Sequence, residues 1–170
     1  MDRGTIFNLI LLIILILVQV LICNHIHIFN VAMPFIFIYV IIRMPMTVPT
    51  NWLLTWAFLG GFIVDLFSDT PGLNSLACIS IAGLKRPILY LYIPKDDRTR
   101  DILPSIANLG FADYAKYLLT LVFIYCTIVF FIEYLSFANV KELGLMIVSS
   151  TLLSFALLLG IDSLMVTKND

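Results

Sequence analysis

Between Asn8 and Cys23 the chain reads NLILLIILILVQVLIC, and only Gln19 in that stretch after Asn8 is polar. Apolar runs of about this length, roughly 16 to 24 residues, recur to the end of the sequence, and each is near the length an α-helix needs to cross a hydrocarbon layer. That repetition constrains the fold more than any other feature. A water-soluble core of 170 residues has no room for so much apolar side chain, and 61% of these residues are hydrophobic against 12% charged, with a mean hydropathy of +1.05. The runs are continuous and do not alternate, which excludes the dyad pattern of a membrane β-barrel. The expected fold class is all-α, a polytopic membrane protein.

Six transmembrane helices are expected, as one integral membrane domain over 1–170, with spans at Ile6–Cys23, Ile28–Ile42, Trp52–Phe67, Leu73–Tyr92, Tyr114–Leu135 and Leu143–Val166. The first is longer than the apolar region of a secretory leader and no small-x-small cleavage site follows it, so it reads as a retained helix. The second carries Asn30 and Pro34 near its start, and several spans only just reach bilayer length, so tilt or local thinning is expected. Arg3, Arg43, Lys85, Arg86, Lys95, Arg98, Arg100, Lys116 and Lys168 fall on one side of this arrangement and only Lys141 on the other. Basic residues mark the cytoplasmic side, so both termini are expected there. Trp52, Trp56, Tyr90, Tyr92, Tyr114 and Tyr117 gather near the same interface. The polar connection 93–113 reads as a solvated connector or a docking site for a cytoplasmic partner, with a short interfacial helix around Asp101–Ala107.

The stretch GGFIVDLFSDTPGLNSLA, residues 60–77, places a carboxylate in the outer half of the third span. At about 1.5 Å per residue Asp65 lies roughly 20 Å from Trp52, off the bilayer centre. A lipid-facing charge there still costs about 1–3 kcal/mol, so Asp65 should face inward or find a partner. Ser68, Asp69 or Thr70 can cap the following helix, and Pro71 suits its first turn. The free N–H groups of Gly72, Leu73 and Asn74, or the side chains of Asn74 and Ser75, are then within reach of the carboxylate. Gly60 and Gly61 allow close approach of the fourth span, with Ala77, Ser80 and Gly83 as small counterparts.

Those residues, Gly60-Gly61, Asp65, Ser68, Pro71-Gly72 and Asn74-Ser75-Leu76-Ala77, resemble the signature hairpin of the rod shape-determining protein MreD family. The stretch Pro34–Pro45, PFIFIYVIIRMP, resembles that family's second span and its Arg-x-Pro exit; Asn74 stands where the family often has a His. The resemblance implies a non-enzymatic inner-membrane scaffold of the bacterial cell-elongation machinery, with a fold similar to the six-helix substrate-binding subunits of energy-coupling-factor vitamin transporters. It implies partnership with MreC, a single-span protein, and through it with the MreB filament, RodA and the elongation transpeptidase that serve lateral peptidoglycan synthesis and rod shape. The alternative reading is a substrate-binding membrane subunit of a vitamin transporter, and a lipid- or wall-precursor-handling role is compatible with either.

No catalytic set, cofactor motif, metal site or nucleic-acid-binding pattern is legible. His25 and His27 point to different faces of a helix and read as an interfacial pair. Cys23, Cys78 and Cys126 are far apart in apolar surroundings, so small buried residues are the ordinary reading and a disulfide or metal site the other. Lys85 and Arg86 lie at a depth similar to Asp162, which suggests an ion pair among them; snorkelling of either cation to the headgroups is the competing arrangement. The first span has no small-xxx-small face and packs against a partner helix or faces lipid.

Overall fold

The computed structural model describes residues 3–21, 33–93, 103–133 and 140–167. Its described residues form seven helices and no strand: α1 (Arg3–Leu21), α2 (Ile38–Arg43), α3 (Thr50–Ser68), α4 (Leu73–Tyr92), α5 (Ile106–Leu109), α6 (Phe111–Glu133) and α7 (Val140–Thr167). Three of them contain segments long and apolar enough to cross a membrane: Thr50–Ser68, Phe111–Glu133 and Lys141–Met165. Their outward faces are as apolar as their inward ones. Phe58, Phe62 and Leu66 on α3, Phe123 and Phe131 on α6, and Leu145, Val148 and Leu152 on α7 are all exposed. A surface of this kind suits lipid and is foreign to a soluble monomer.

Helix α3 buries Leu53, Ala57, Gly60, Gly61 and Val64, a stripe repeating every three to four residues. Against it lies α4, which also packs on α6, while α6 packs on α7. Gly61 sets the distance between the first pair. A methyl group there would sit 2.7 Å from Asn74 O and from Ser75 Cα, so the two backbones are in direct contact. Gly60 is turned toward α1, where a methyl would meet Leu12 Cδ1 at 3.6 Å, an ordinary contact. Of the small residues expected on α4, Ala77 is buried; Ser80 bonds its own helix at Leu76 O, and Gly83 is exposed with open space beside it. The backbone-to-backbone contact at Gly61 thus falls on the first turn of α4.

The second expected span differs from its expectation. Residues 33–37 are not helical, and helix begins only at Ile38; residues 28–32 lie outside the described residues. Pro34 supplies the reason, since it has no N–H and disfavours helix at the residue before it. The backbone thus freed is satisfied by side chains of the first and last helices. Met33 N donates to Ser150 Oγ at 3.0 Å and Phe35 N to Ser154 Oγ at 2.9 Å. Ile36 N donates to Gln19 Oε1 at 2.8 Å, and Gln19 Nε2 donates to Pro34 O at 2.9 Å. Irregular backbone among apolar helices is stable only where protein buries and bonds it, as here. Phe37, Ile38, Tyr39, Val40, Ile41 and Ile42 continue from this stretch as an unbroken buried run, the longest among the described residues when joined to Pro34–Ile36. A helix apolar on every side belongs in the centre of a bundle.

Candidate functional site

Asp65 is 3% exposed on the last turn of α3, and its carboxylate receives five hydrogen bonds. Oδ1 accepts from Asn74 N at 2.8 Å, Asn74 Nδ2 at 3.0 Å and Thr70 Oγ1 at 3.1 Å. Oδ2 accepts from Ser75 N at 2.9 Å and Ser75 Oγ at 2.6 Å. Two of these donors are main-chain N–H groups of the first turn of α4, which have no partner within their own helix. The acid of one helix therefore caps the start of the next, and the positive end of the α4 dipole adds to the attraction.

The turn makes this reach feasible. Asp69 ends α3 in the left-handed conformation at φ 53°, and Gly72 opens α4 at φ 86°, a geometry a glycine adopts without strain. No side-chain hydrogen bond is made by the N-cap residue of α4, which is Gly72 itself. The expectation that Ser68, Asp69 or Thr70 caps α4 is thus corrected: Ser68 is the last residue of α3, Pro71 lies in the turn ahead of Gly72, and Thr70 serves Asp65 instead. Asn74 carries the network outward, donating through Nδ2 to Thr70 Oγ1 at 3.2 Å and accepting through Oδ1 from Tyr125 Oη of α6 at 2.5 Å. Three helices meet at one carboxylate and one carboxamide. Beside them opens a cavity of ≈ 360 Å³, whose lining includes Met33, Phe35, Asp69, Thr70, Asn74 and Glu133.

The opposite end of the bundle holds the second buried carboxylate, Asp162 of α7. Its Oδ1 accepts from Tyr39 Oη at 2.7 Å and lies 3.4 Å from Arg43 Nη1, and its Oδ2 accepts from Ile106 N at 2.9 Å. Arg43 also donates to Tyr39 Oη, and its guanidinium carbon lies 5.6 Å from the centre of that ring. The ion pair expected between Asp162 and Lys85 or Arg86 is not formed. Arg43 holds that place because it lies one turn beyond Tyr39 on α2, facing α7.

Lys85 and Arg86 neither pair with a carboxylate nor extend to the headgroups by snorkelling alone; both point at carbonyl groups. Lys85, 1% exposed, donates Nζ to Ile41 O at 3.0 Å and to Met44 O. Arg86 donates Nη2 to Met46 O at 3.0 Å and to Val48 O at 2.8 Å. Tyr117 Oη of α6 takes Ile42 O at 3.2 Å. The last carbonyls of α2 and the link to α3 would otherwise be unpaired. Cations at a helix C-terminus are also favoured by its dipole. Gln19, Ser150, Ser154 and Tyr39 were the residues that sequence reasoning passed over. Their signal was available in principle, since each is a polar group inside an apolar run.

The interfacial helix in the long connection is the single turn α5, later than expected and tied to Asp162 through Ile106 N. Asp101, Lys95, Arg98 and Arg100 lie outside the described residues, as do Cys23, His25, His27 and Asn30. Cys78 and Cys126 are buried and free. No three His, Cys, Asp or Glu side chains converge among the described residues. A scan of family models, a search of curated proteins and a search of solved structures gave no match to this chain.

Proposed function

We propose that this chain is a non-enzymatic membrane scaffold of the MreD type. In this reading six spans cross a bacterial inner membrane with both termini cytoplasmic, the sixfold count being completed by α1, the segment around α2, and α4 beside the three helices long and apolar enough to span. The chain binds the helix of an MreC-like single-span protein. Through it the chain supports MreB, RodA and the elongation transpeptidase in lateral peptidoglycan synthesis and rod shape. The observation that carries the reading is the Asp65 corner. Of the residues that resemble the family's hairpin, Gly61, Asp65, Asn74 and Ser75 touch one another there, Ser68, Pro71 and Gly72 form the end of α3 and the turn between the helices, and Gly60 faces α1. A corner in which both carboxylate oxygens are bonded across two helices suits a protein that holds others in place.

Co-purification in mild detergent tests the assignment. An MreC-like protein should accompany the wild-type chain, and its absence from a preparation made in a cell that expresses it would defeat the scaffold reading. Orientation is tested apart from it: a cysteine placed at Arg98 should react with an impermeant maleimide only after the membrane is opened. The cavity beside Asp69 and Asn74 favours a second reading, the binding subunit of a vitamin transporter, which would instead bring down ATPase subunits or a retained small molecule.

A further inference from the structure

Asp162 is bonded at both oxygens, but unequally. Oδ1 accepts from Tyr39 Oη and faces Arg43 Nη1, while Oδ2 accepts from Ile106 N. An ionised carboxylate oxygen can accept about two hydrogen bonds, so Oδ2 keeps acceptor capacity. The complementary defect lies in the first turn of α6. Tyr114 is fully buried there, and its Oη has no hydrogen-bond partner among the described residues. Buried phenols ordinarily find a partner. Where the protein supplies none, ordered water is the usual one.

The backbone brings the two defects into one neighbourhood. Ile106 N holds Asp162 Oδ2, Gly110 N donates to Ile106 O at 3.0 Å, and Tyr114 N donates to Gly110 O at 3.2 Å. Tyr114 therefore stands two hydrogen-bonded steps beyond the residue that touches the acid. On its other side the centre of the Tyr117 ring is 6.4 Å away, and Tyr117 Oη donates to Ile42 O, next to Arg43. Among the groups that act electrostatically on the Tyr114 hydroxyl, Asp162 weighs most, ahead of Tyr39, Tyr117 and Arg43. The other two phenols of the cluster are committed, Tyr39 to Asp162 and Tyr117 to Ile42. Tyr114 is left as a donor inside a ring of polar groups, none of which bonds it directly.

We propose that an internal water molecule is bound between Tyr114 Oη and Asp162 Oδ2, accepting from the phenol and donating to the carboxylate. The chemistry of the cluster selects water. The ligand has to accept from one neighbour and donate to the other in a space closed to solvent, which a small neutral donor-acceptor does. A cation would meet the guanidinium of Arg43, and an anion the carboxylate it pairs with. Buried waters are held in this way, by groups that protein alone leaves unsatisfied. The water joins α6 to the α7 acid that already holds α2 and α5, so all four elements meet at one carboxylate. The inference concerns this cluster alone, so failure of the scaffold assignment leaves it standing.

X-ray radiolytic footprinting of the detergent-solubilised full chain tests it, with a radical scavenger in the bulk so that hydroxyl radicals born from bound water are the ones that reach buried side chains. Tyr114 should take up oxygen, while Tyr125, equally inaccessible and bonded directly to Asn74, should stay at background. A Tyr114 as silent as Tyr125 would overturn the proposal. Tyr114→Phe gives a second readout through its sign. A phenol bridged to Asp162 by water loses those bonds on truncation, so the midpoint of unfolding in dodecyl sulfate should fall. An orphaned hydroxyl is instead a burden on the fold, and an unchanged or higher midpoint would refute the water. Should Tyr114→Phe fail to fold, the footprint of the wild type decides by itself.

Discussion

Asp65 and Asp162 are both inaccessible, at 3% and 0% exposure, and both keep every oxygen bonded, yet they are held by opposite means. Around Asp65 all five donors are neutral, and four of them come from two consecutive residues at a helix start. Around Asp162 the partners are a cation, a phenol and one amide, drawn from α2 and from α5. The first arrangement is assembled by a turn and can form as soon as α3 meets α4. The second closes a ring between distant parts of the chain, Tyr39 and Asp162 being separated by 123 residues. Neutral donors leave nothing charged behind when the acid is lost. A cation held mostly out of water, as Arg43 is, does not have that tolerance.

The same substitution at both positions exposes this contrast, and it gives the largest expected effects. Asp162→Asn removes the counter-charge and leaves the partly buried Arg43 against tyrosine and thioether groups; breaking a fully buried pair on one side costs about 3–5 kcal/mol, and the partial access of Arg43 to solvent puts this loss at the lower end of that range. Asp65→Asn exchanges an acceptor for a donor that faces the Ser75 amide, with no cation stranded, and should cost about 1–3 kcal/mol. Titration of the solubilised protein with dodecyl sulfate, followed by helicity, ranks the two. A cost at Asp65 equal to or above that at Asp162 would break the distinction drawn between neutral and charged partners. A double-mutant cycle sharpens it: in an Arg43→Met background, Asp162→Asn should lose at least about 1 kcal/mol of its effect. Strict additivity would mean that the 3.4 Å approach carries no coupling.

The contrast also explains what the sequence could and could not disclose. The Asp65 corner was legible because its parts are local. An acid one to two turns before a Ser-Asp-Thr-Pro-Gly turn can reach only a few donors, and Asn74 and Ser75 are among them. Gly60 and Gly61 looked equivalent in the sequence, and only the direction of α3 separates the one in contact with backbone from the one facing Leu12. The partner of Asp162 was not legible. Arg43, Lys85 and Arg86 all lie near the same depth, and depth alone cannot choose among them. The choice was made by the phase of α2, which puts Tyr39 and Arg43 on its α7 side and its last carbonyls toward Lys85. The all-helical fold, with helices long and apolar enough to cross a membrane, followed from the length of the apolar runs. The break at residues 33–37 was hinted at by Pro34, and confirming it needed Ser150 and Ser154, which share a face at a spacing of four but sit far along the chain.

Packing at the corner offers the next test, smaller than the first. Gly61→Ala places a methyl against the main chain of α4, which has no flexible end to move, so the hairpin must open by a few tenths of an ångström or more. Overpacking of this kind costs about 1–3 kcal/mol. Gly60→Ala meets a side-chain methyl at 3.6 Å and gains about 1 kcal/mol of helix propensity, so it should be neutral or stabilising. The dodecyl sulfate titration should separate neighbouring glycines in sign. Equal effects would mean that the approach of α3 and α4 is looser than the described contact.

The smallest effect belongs to the surplus in the corner itself. Oδ1 of Asp65 takes three donors and Oδ2 only two, both from Ser75. Thr70 sits at the turn, partly exposed, so Thr70→Val withdraws one donor from the better-supplied oxygen while water can reach the gap. Asn74 Nδ2 also loses an acceptor but keeps Asp65. The expected cost is below about 1 kcal/mol, the net worth of an ordinary hydrogen bond. Ser75→Ala removes a buried donor at 2.6 Å from the oxygen that has no spare, and should cost more, about 1–3 kcal/mol. Reversal of that order would show that Thr70, rather than the start of α4, is what keeps the acid in place, and the corner would then be a capped turn instead of a joint between two helices.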